Sequence, residues 1–284
     1  MGTDGTSAPR WLGVDHVELA VADVDRAADV HHRLGFVRVA TRELRERRVK
    51  SYRLVSGALS VVLSESRLET DPIAVAVAKH GDGIFSIGFL CHDALSALER
   101  LHQRGAQVVE APRTVRMGDP VVEQTQAQVI AFGHVRHTIV SRNGGPFLEG
   151  FPPMPATNPA GFGIDGVAGW VGVLEAERFS ATASHYAHVF GLVQRDEAPA
   201  AHHFRWSMAD GTLFPELACP AEPHDHAREF LAVRHGAGIG ELTLVSKRPE
   251  ETRDRAAAAG LAIDRDTGLT GPIAGPLRYR IVGG

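Results

Sequence analysis

The sequence predicts an α+β fold in two domains, each built from paired β-α-β-β-β units that form a curved sheet around a cleft. Three observations carry this expectation. Four stretches of the chain follow one plan, a strand, an amphipathic helix and then further strands. Short motifs of the first half return in the second. Asp15-His16-Val17-Glu18-Leu19 is answered by Asp165-Gly166-Val167-Ala168-Gly169, and His80-Gly81-Asp82-Gly83-Ile84 by His235-Gly236-Ala237-Gly238-Ile239. Between them, Pro146 to Pro159 is rich in proline and glycine and reads as a linker. One unit alone leaves a sheet face bare, so units must pair within each half. The expected domains are residues 1–153 and 154–284.

The elements follow in order. The first unit opens with a strand from Val14, continues in a helix near Asp23–Arg33 and turns at Leu34-Gly35-Phe36. Strands follow around Arg48–Val55 and Leu59–Ser64. The second unit opens at Ile84. Its helix carries Leu95, Leu98 and Leu101 at helical spacing and stops at Gly105, a residue suited to a helix C-terminus. A strand ending in His137-Thr138-Ile139-Val140 closes it. The third unit starts at Ile164, with a helix near Glu177–Phe190 and a turn at Phe190-Gly191-Leu192. The fourth starts at Ile239, passes through a helix near Pro249–Ala259 and ends in the strand Leu277–Val282.

Bulk properties narrow the function classes. A chain of 284 residues is long enough for two packed domains. A hydrophobic fraction of 44% with 23% charged residues is that of a globular protein. A net charge of -4 offers no basic footprint for nucleic acid. No apolar run approaches the roughly 20 residues a bilayer span requires. Met1 to Arg10 lacks a signal-peptide core, and its Gly2 and Thr6 fit a myristoylation pattern short enough to arise by chance. Two cysteines, Cys91 and Cys219, imply no disulfide framework and suit a reducing cytoplasm, the expected location. Walker loops, dinucleotide fingerprints and nucleophile elbows are absent, so no cofactor is expected.

The segments Asp15-His16-Val17-Glu18, His80–Ile84, His137–Arg142 with Phe147-Leu148-Glu149-Gly150-Phe151, and Phe230 through Ile239 carry a resemblance. In their order they resemble the vicinal oxygen chelate superfamily, with its glyoxalase/dihydroxybiphenyl dioxygenase-like fold. Within it they resemble the 4-hydroxyphenylpyruvate dioxygenase and hydroxymandelate synthase branch. The resemblance implies Fe(II) held by two His and one Glu in the C-terminal domain, a closing C-terminal helix, and association as dimers or tetramers. By motif matching those ligands fall on Gly166, Glu241 and Arg280. One position has no side chain, one is an acid and one a permanent cation, so the iron reading fails on these residues. The chain stops at Gly283-Gly284, short of the closing helix.

The remaining polar residues suggest other chemistry. Glu241 and Arg280 should face each other in the C-terminal cleft, either as a salt bridge replacing the metal or as an open site. In the open form Arg280 grips a carboxylate or oxyanion and Glu241 moves a proton, although an adjacent guanidinium weakens Glu241 as a base. His203 alternates with Phe204 and is a candidate substrate contact, as is Arg278 on the last strand. Trp170 shares the alternation of Gly166, so it either packs the core or fills the volume of the lost ligand. His16 and Glu18 read as a structural remnant, because Ser86 and Thr138 stand at the partner positions. His224 and His226 read as a surface loop, and His31 and His32 as solvent-facing.

The leading expectation is therefore a metal-independent, non-oxidative enzyme (isomerase, lyase or cyclase) acting on a small carbonyl or aromatic acid as a homodimer. The alternatives are a non-catalytic small-molecule-binding or resistance protein, an Fe(II) dioxygenase with relocated ligands, and a degenerate subunit that positions a partner enzyme.

Overall fold

Local rules set each element boundary. Strand β1 (Trp11–Ala20) leads to helix α1 (Val24–Arg33), whose first turn is capped by Asp23 accepting from the Asp25 and Arg26 N–H groups at 3.0 Å. Strands β2 (Val37–Leu44), β3 (Val49–Ser56) and β4 (Leu59–Ser66) complete the first unit. Helix α2 (Pro72–His80) intervenes before β5 (Gly83–Cys91) opens the second. There Asp93 caps α3 (Ala94–Gln103) as Asp23 caps α1, and β6 (Val108–Met117), β7 (Val122–Phe132) and β8 (Val135–Asn143) follow. The second half holds β9 (Ile164–Val173), α4 (Ala176–Phe190), β10 (Val193–Gln194), β11 (His203–Ser207) and β12 (Phe214–Ala218). It ends with α5 (His226–Arg234), β13 (Gly238–Ser246), α6 (Pro249–Ala258) and β14 (Arg278–Gly283). This computed structural model describes residues 9–117, 121–144, 148–152, 161–195, 202–208, 211, 213–221 and 226–284. The expected boundary at 153/154, most of the linker, His224 and the first eight residues lie outside them.

Each half forms one sheet. The first is eight-stranded in the order β2-β3-β4-β1-β5-β8-β7-β6, the second six-stranded in the order β10-β11-β12-β9-β13-β14. In both, an antiparallel central pair (β1 with β5, β9 with β13) is flanked by parallel neighbours. The fourth unit departs from the expected plan. Between α6 and β14 the chain makes only isolated bridges, Ile263–Thr270, Leu269–Arg280 and Ala274–Leu277, where the other units have two strands. The Thr270 N–H to Tyr279 carbonyl bond (2.8 Å) and the Ile281 N–H to Gly268 carbonyl bond (3.0 Å) occupy the outer edge of β14. An edge strand whose polar groups are paired in this way offers less template for other chains.

The two sheets share a single core. Phe89 and His137 from the first sheet meet Trp170 from the second at ring separations of 5.7 and 6.0 Å. Two His–Tyr pairs cross the junction: His31 on α1 with Tyr279 on β14 (2.9 Å), and His137 on β8 with Tyr186 on α4 (2.7 Å). His31 is 0% exposed, which corrects the expectation that it faces solvent. Its Nδ1 bonds the Ala27 carbonyl at 2.8 Å, so both ring nitrogens are engaged. Burial pushes His31 down to about 4 and His137 down to about 3, so both are neutral in the folded chain.

The repeated His-Gly motifs end α2 and α5, two helices the sequence pattern did not announce, and face each other. His80 Nδ1 donates to the Arg234 carbonyl at 3.0 Å, and Arg234 Nη1 donates to the Asp82 carbonyl at 3.2 Å. A Cβ at Gly83 or Gly238 would lie 2.1 or 2.3 Å from the Arg234 guanidinium, so a side chain at either position would displace it.

Candidate active site

The concave face of the first sheet is already filled. Leu148 and Phe151 of the segment after β8 pack against Val62 there, with the Arg42 guanidinium 4.7 Å from the Phe151 ring centre. A hydrogen-bonded chain runs from Arg136 to Gln128 (3.1 Å), to Thr138 (3.1 Å) and to Ser86 (2.8 Å). Glu149 accepts from Gln126 at 2.6 Å, and Glu18 from Ser64 at 2.7 Å. The cavity that remains is about 70 Å³. Hydrogen-bonded polar groups around so small a space describe a packed polar core, with Arg42 Nε the lining atom left without a described partner.

The second sheet keeps an open cavity of about 340 Å³ on its concave face. Its floor is Val171 and Val173 of β9 with Ala218 of β12, and its wall is Ala227, Phe230 and Val233 of α5. Leu269, Pro272 and Pro276 come from the loop that stands where the fourth unit lacks its outer strands. The sheet register sets a charged row across this face: Arg205, Glu216, Val171, Glu241 and Arg278 are successive neighbours on β11, β12, β9, β13 and β14. An acid and then an arginine thus stand on each side of an apolar centre.

Within the row the charges pair unequally. Arg280 grips Glu241 with two hydrogen bonds, Nε to Oε1 at 2.5 Å and Nη2 to Oε2 at 2.9 Å, and its Nη1 donates to the Thr267 carbonyl at 3.3 Å. The bond from Glu241 is the main reason the Arg280 proton is held more tightly than usual. Glu216 lies 2.8 Å from His203 Nε2 and 3.6 Å from Arg205 Nε. Burial pushes the Glu216 carboxyl upward, but His203, Arg205 and Arg280 outweigh it and leave it below its ordinary value. Arg278 is half-buried on the cavity wall, and its side chain makes no ion pair or hydrogen bond with a described residue.

Several expected positions land elsewhere. The central pairs of the two sheets share one register, bulges included. His16 lies opposite Gly88 and Glu18 opposite Ser86, as Gly169 lies opposite Thr243 and Val171 opposite Glu241. The residue in the place of His16 is therefore Gly169, whereas Gly166, opposite Val245, takes the place of Gly13, opposite Leu90. A Cβ on Gly169 would lie 2.2 Å from the Phe214 carbonyl oxygen, so the backbone of β12 leaves no room for a ligand there. Glu241 and Arg280 do stand at the positions of Ser86 and Thr138. Trp170 is 1% exposed and turned into the core between the sheets, not toward the cleft. His203 is on the concave face but spends its imidazole on Glu216 and is not among the cavity-lining residues.

Pattern reading missed Glu216 and the loop residues Leu269, Pro272 and Pro276, and His226, expected in a surface loop, opens α5 at the cavity mouth. The alternation of Glu216 with Pro215 and Leu217 on β12 was a usable signal for the first; the loop carried none. A facial metal site needs three converging neutral or anionic donors. The positions here supply a glycine, one carboxylate with both oxygens on a guanidinium, and that guanidinium. These residues do not fit an iron ion. Among the described residues, no group of three or more His, Cys, Asp or Glu could hold a metal.

Comparison with known proteins agrees with the fold. Residues 15–122 match the glyoxalase/bleomycin resistance protein/dioxygenase superfamily, so the chain carries a domain of that superfamily, the vicinal oxygen chelate class. Within the class it is similar to 4-hydroxyphenylpyruvate dioxygenase. It is 28% identical to the Aspergillus fumigatus enzyme over 85% of this chain and 68% of the relative. It is 25% identical to that of Dictyostelium discoideum over 72% of this chain and 56% of the relative, and 29% identical to that of Coccidioides posadasii over 50% and 40%. A mutant of 4-hydroxymandelate synthase from Streptomyces coelicolor superposes with a TM-score of 0.79, at 22% identity, over 97% of this chain and 93% of the other. A xylose isomerase-like TIM barrel/4-hydroxyphenylpyruvate dioxygenase fusion protein gives 0.75, at 16% identity, over 98% and 50%. No helix among the described residues is long and apolar enough to cross a membrane.

Proposed function

We propose that the chain is a metal-independent relative of the 4-hydroxyphenylpyruvate dioxygenases that performs non-oxidative proton chemistry on a small carbonyl or aromatic acid. The observation that carries this reading is the second-sheet cavity: mostly apolar, and ending on Arg278, which has no described partner, beside the Glu241–Arg280 pair. An apolar pocket with a few convergent polar groups is the usual form of a small-molecule site. Arg278 holds the ligand's carboxylate, a task the guanidinium fork suits. Phe230 and Val173 shield the apolar body. A ligand carbonyl oxygen competes for Arg280, loosens one of its two bonds to Glu241, and frees that oxygen to take a proton from the carbon beside the carbonyl. Glu241 then returns the proton to the product, so the step is redox-neutral.

Expected outcomes follow for the probe 4-hydroxyphenylpyruvate, the substrate named by the relatives. Enolisation, read as solvent deuterium entering its benzylic position above the uncatalysed rate, should be abolished in Glu241→Gln, where a general base contributes about 10²–10⁴-fold. Wild-type exchange in that variant would sink the scheme. Iron content after anaerobic loading should stay far below one equivalent per chain; a full equivalent would overturn metal independence. The reading also takes the chain to be a homodimer, which sedimentation checks.

A second reading is favoured by the same ion pair. Both Glu241 oxygens are engaged, which suits a protein that binds a metabolite without changing it. Stoichiometric binding, with the ligand recovered intact and no exchange, would decide for it.

A further inference from the structure

At the other end of the first sheet's concave face, two arginines and a histidine gather around one acid. One Asp15 oxygen lies 2.5 Å from Arg142 Nη2 in an ion pair, and the other is hydrogen-bonded to His16 Nδ1 at 2.9 Å. Arg53 reaches in from β3 and donates through Nε and Nη2 to Ser60 (3.3 and 3.0 Å), which lies directly opposite His16 on the neighbouring strand. Arg53 is 2% exposed, and the Arg142 side chain 10%. Arg53 Nη1 and Arg142 Nε are both buried and without a hydrogen-bond partner. Two guanidinium charges thus sit against a single carboxylate.

That imbalance is costly. Buried charges are tolerated when paired, and unpaired buried donors lose their hydration without replacement. Ser60 carries no charge, so nothing described on the neighbouring strands neutralises Arg53. Burial drives the Arg53 guanidinium down to about 10, against the pull of Asp15 and with the push of Arg142. Arg53 on β3 and Arg142 on β8 stand two strands away from β1 on either side, and the Arg142 charge acts on Arg53.

We infer that Arg53 Nη1 and Arg142 Nε form a buried binding site for one small monovalent anion, of which chloride is the physiological example. The anion neutralises the surplus guanidinium and ties β3 to β8 across the concave face. Its role is structural, and it is independent of the reading given to the second-sheet cavity.

The test is thermal unfolding of the full chain at fixed ionic strength, with chloride replacing gluconate, an anion too large for the site. Chloride should raise the Tm in a saturable manner, as a ligand of the folded state does. Arg53→Met keeps the bulk, removes the surplus charge, and should abolish that dependence. A non-saturating salt response equal in both proteins would overturn the site. Should Arg53→Met fail to fold, bromide-soaked crystals of the unaltered chain decide. An anomalous peak between Arg53 and Arg142 supports the site, and a water with no bromide there overturns it.

Discussion

Single side chains divide the two concave faces. Both sheets place an arginine at matching positions, Arg53 opposite Val62 and Arg205 opposite Glu216, and again Arg136 and Arg278 on the last strands. In the first sheet Arg136 bonds Gln128 and lies 4.6 Å from the Phe85 ring centre; Arg278 has neither kind of partner among the described residues. Arg278→Met should therefore weaken binding of a carboxylate ligand by about 10–100-fold, the worth of a charged hydrogen bond, without lowering the Tm. Calorimetric titration of both proteins checks this, and equal affinities would contradict it. Trp170 behaves in the opposite way. Because it is packed against Phe89 and His137, Trp170→Ala should cost about 3–5 kcal/mol of stability, read by urea denaturation. A loss of ligand affinity with unchanged stability would instead return Trp170 to the cleft.

At the scale of elements, sequence rules were most readable where one residue does a defined job. Asp93 accepts from the Leu95 and Ser96 N–H groups at 3.0 and 3.2 Å, and Gly105 follows α3 at φ 92°. Asp93→Ala should lower stability by about 1 kcal/mol, and thermal melts will show whether it does. The helix starts expected near Asp23, Glu177 and Pro249 agree with α1, α4 and α6 to within a residue. Helices α2 and α5 escaped because their apolar residues are not confined to one stripe, so periodicity gave no clear signal. The fourth unit escaped for a different reason. A loop that pairs only through the Thr270–Tyr279 and Gly268–Ile281 backbone bonds leaves no alternating pattern to read.

For the molecule as a whole, the joint between the halves is where pH should act. In the unfolded chain His31 and His137 titrate near the ordinary 6.5, and in the folded chain near about 4 and about 3. Between those limits the unfolded chain binds more protons, so stability rises with pH and is lost as pH falls through 6.5. Going from pH 6.5 to 5 should cost about 1.6 kcal/mol for each histidine, since the slope climbs to about 1.36 kcal/mol per pH unit only once the unfolded imidazole is fully protonated. Urea midpoints at the two pH values measure it. A flat profile would mean that these imidazoles reach solvent before the chain unfolds.

The order of residues by itself determined the duplication and the α+β class, because repeats and strand–helix patterning are written in residue identity. It also put Glu241, Arg280 and Arg278 on one sheet. Only the tertiary structure decided which glycine replaces His16, since a three-residue slip from Gly166 to Gly169 is invisible until bulges and register are fixed. It alone turned Trp170 inward and brought Glu216 to His203. Both outcomes depend on which face of a strand meets another sheet, a matter of packing between residues far apart in the chain.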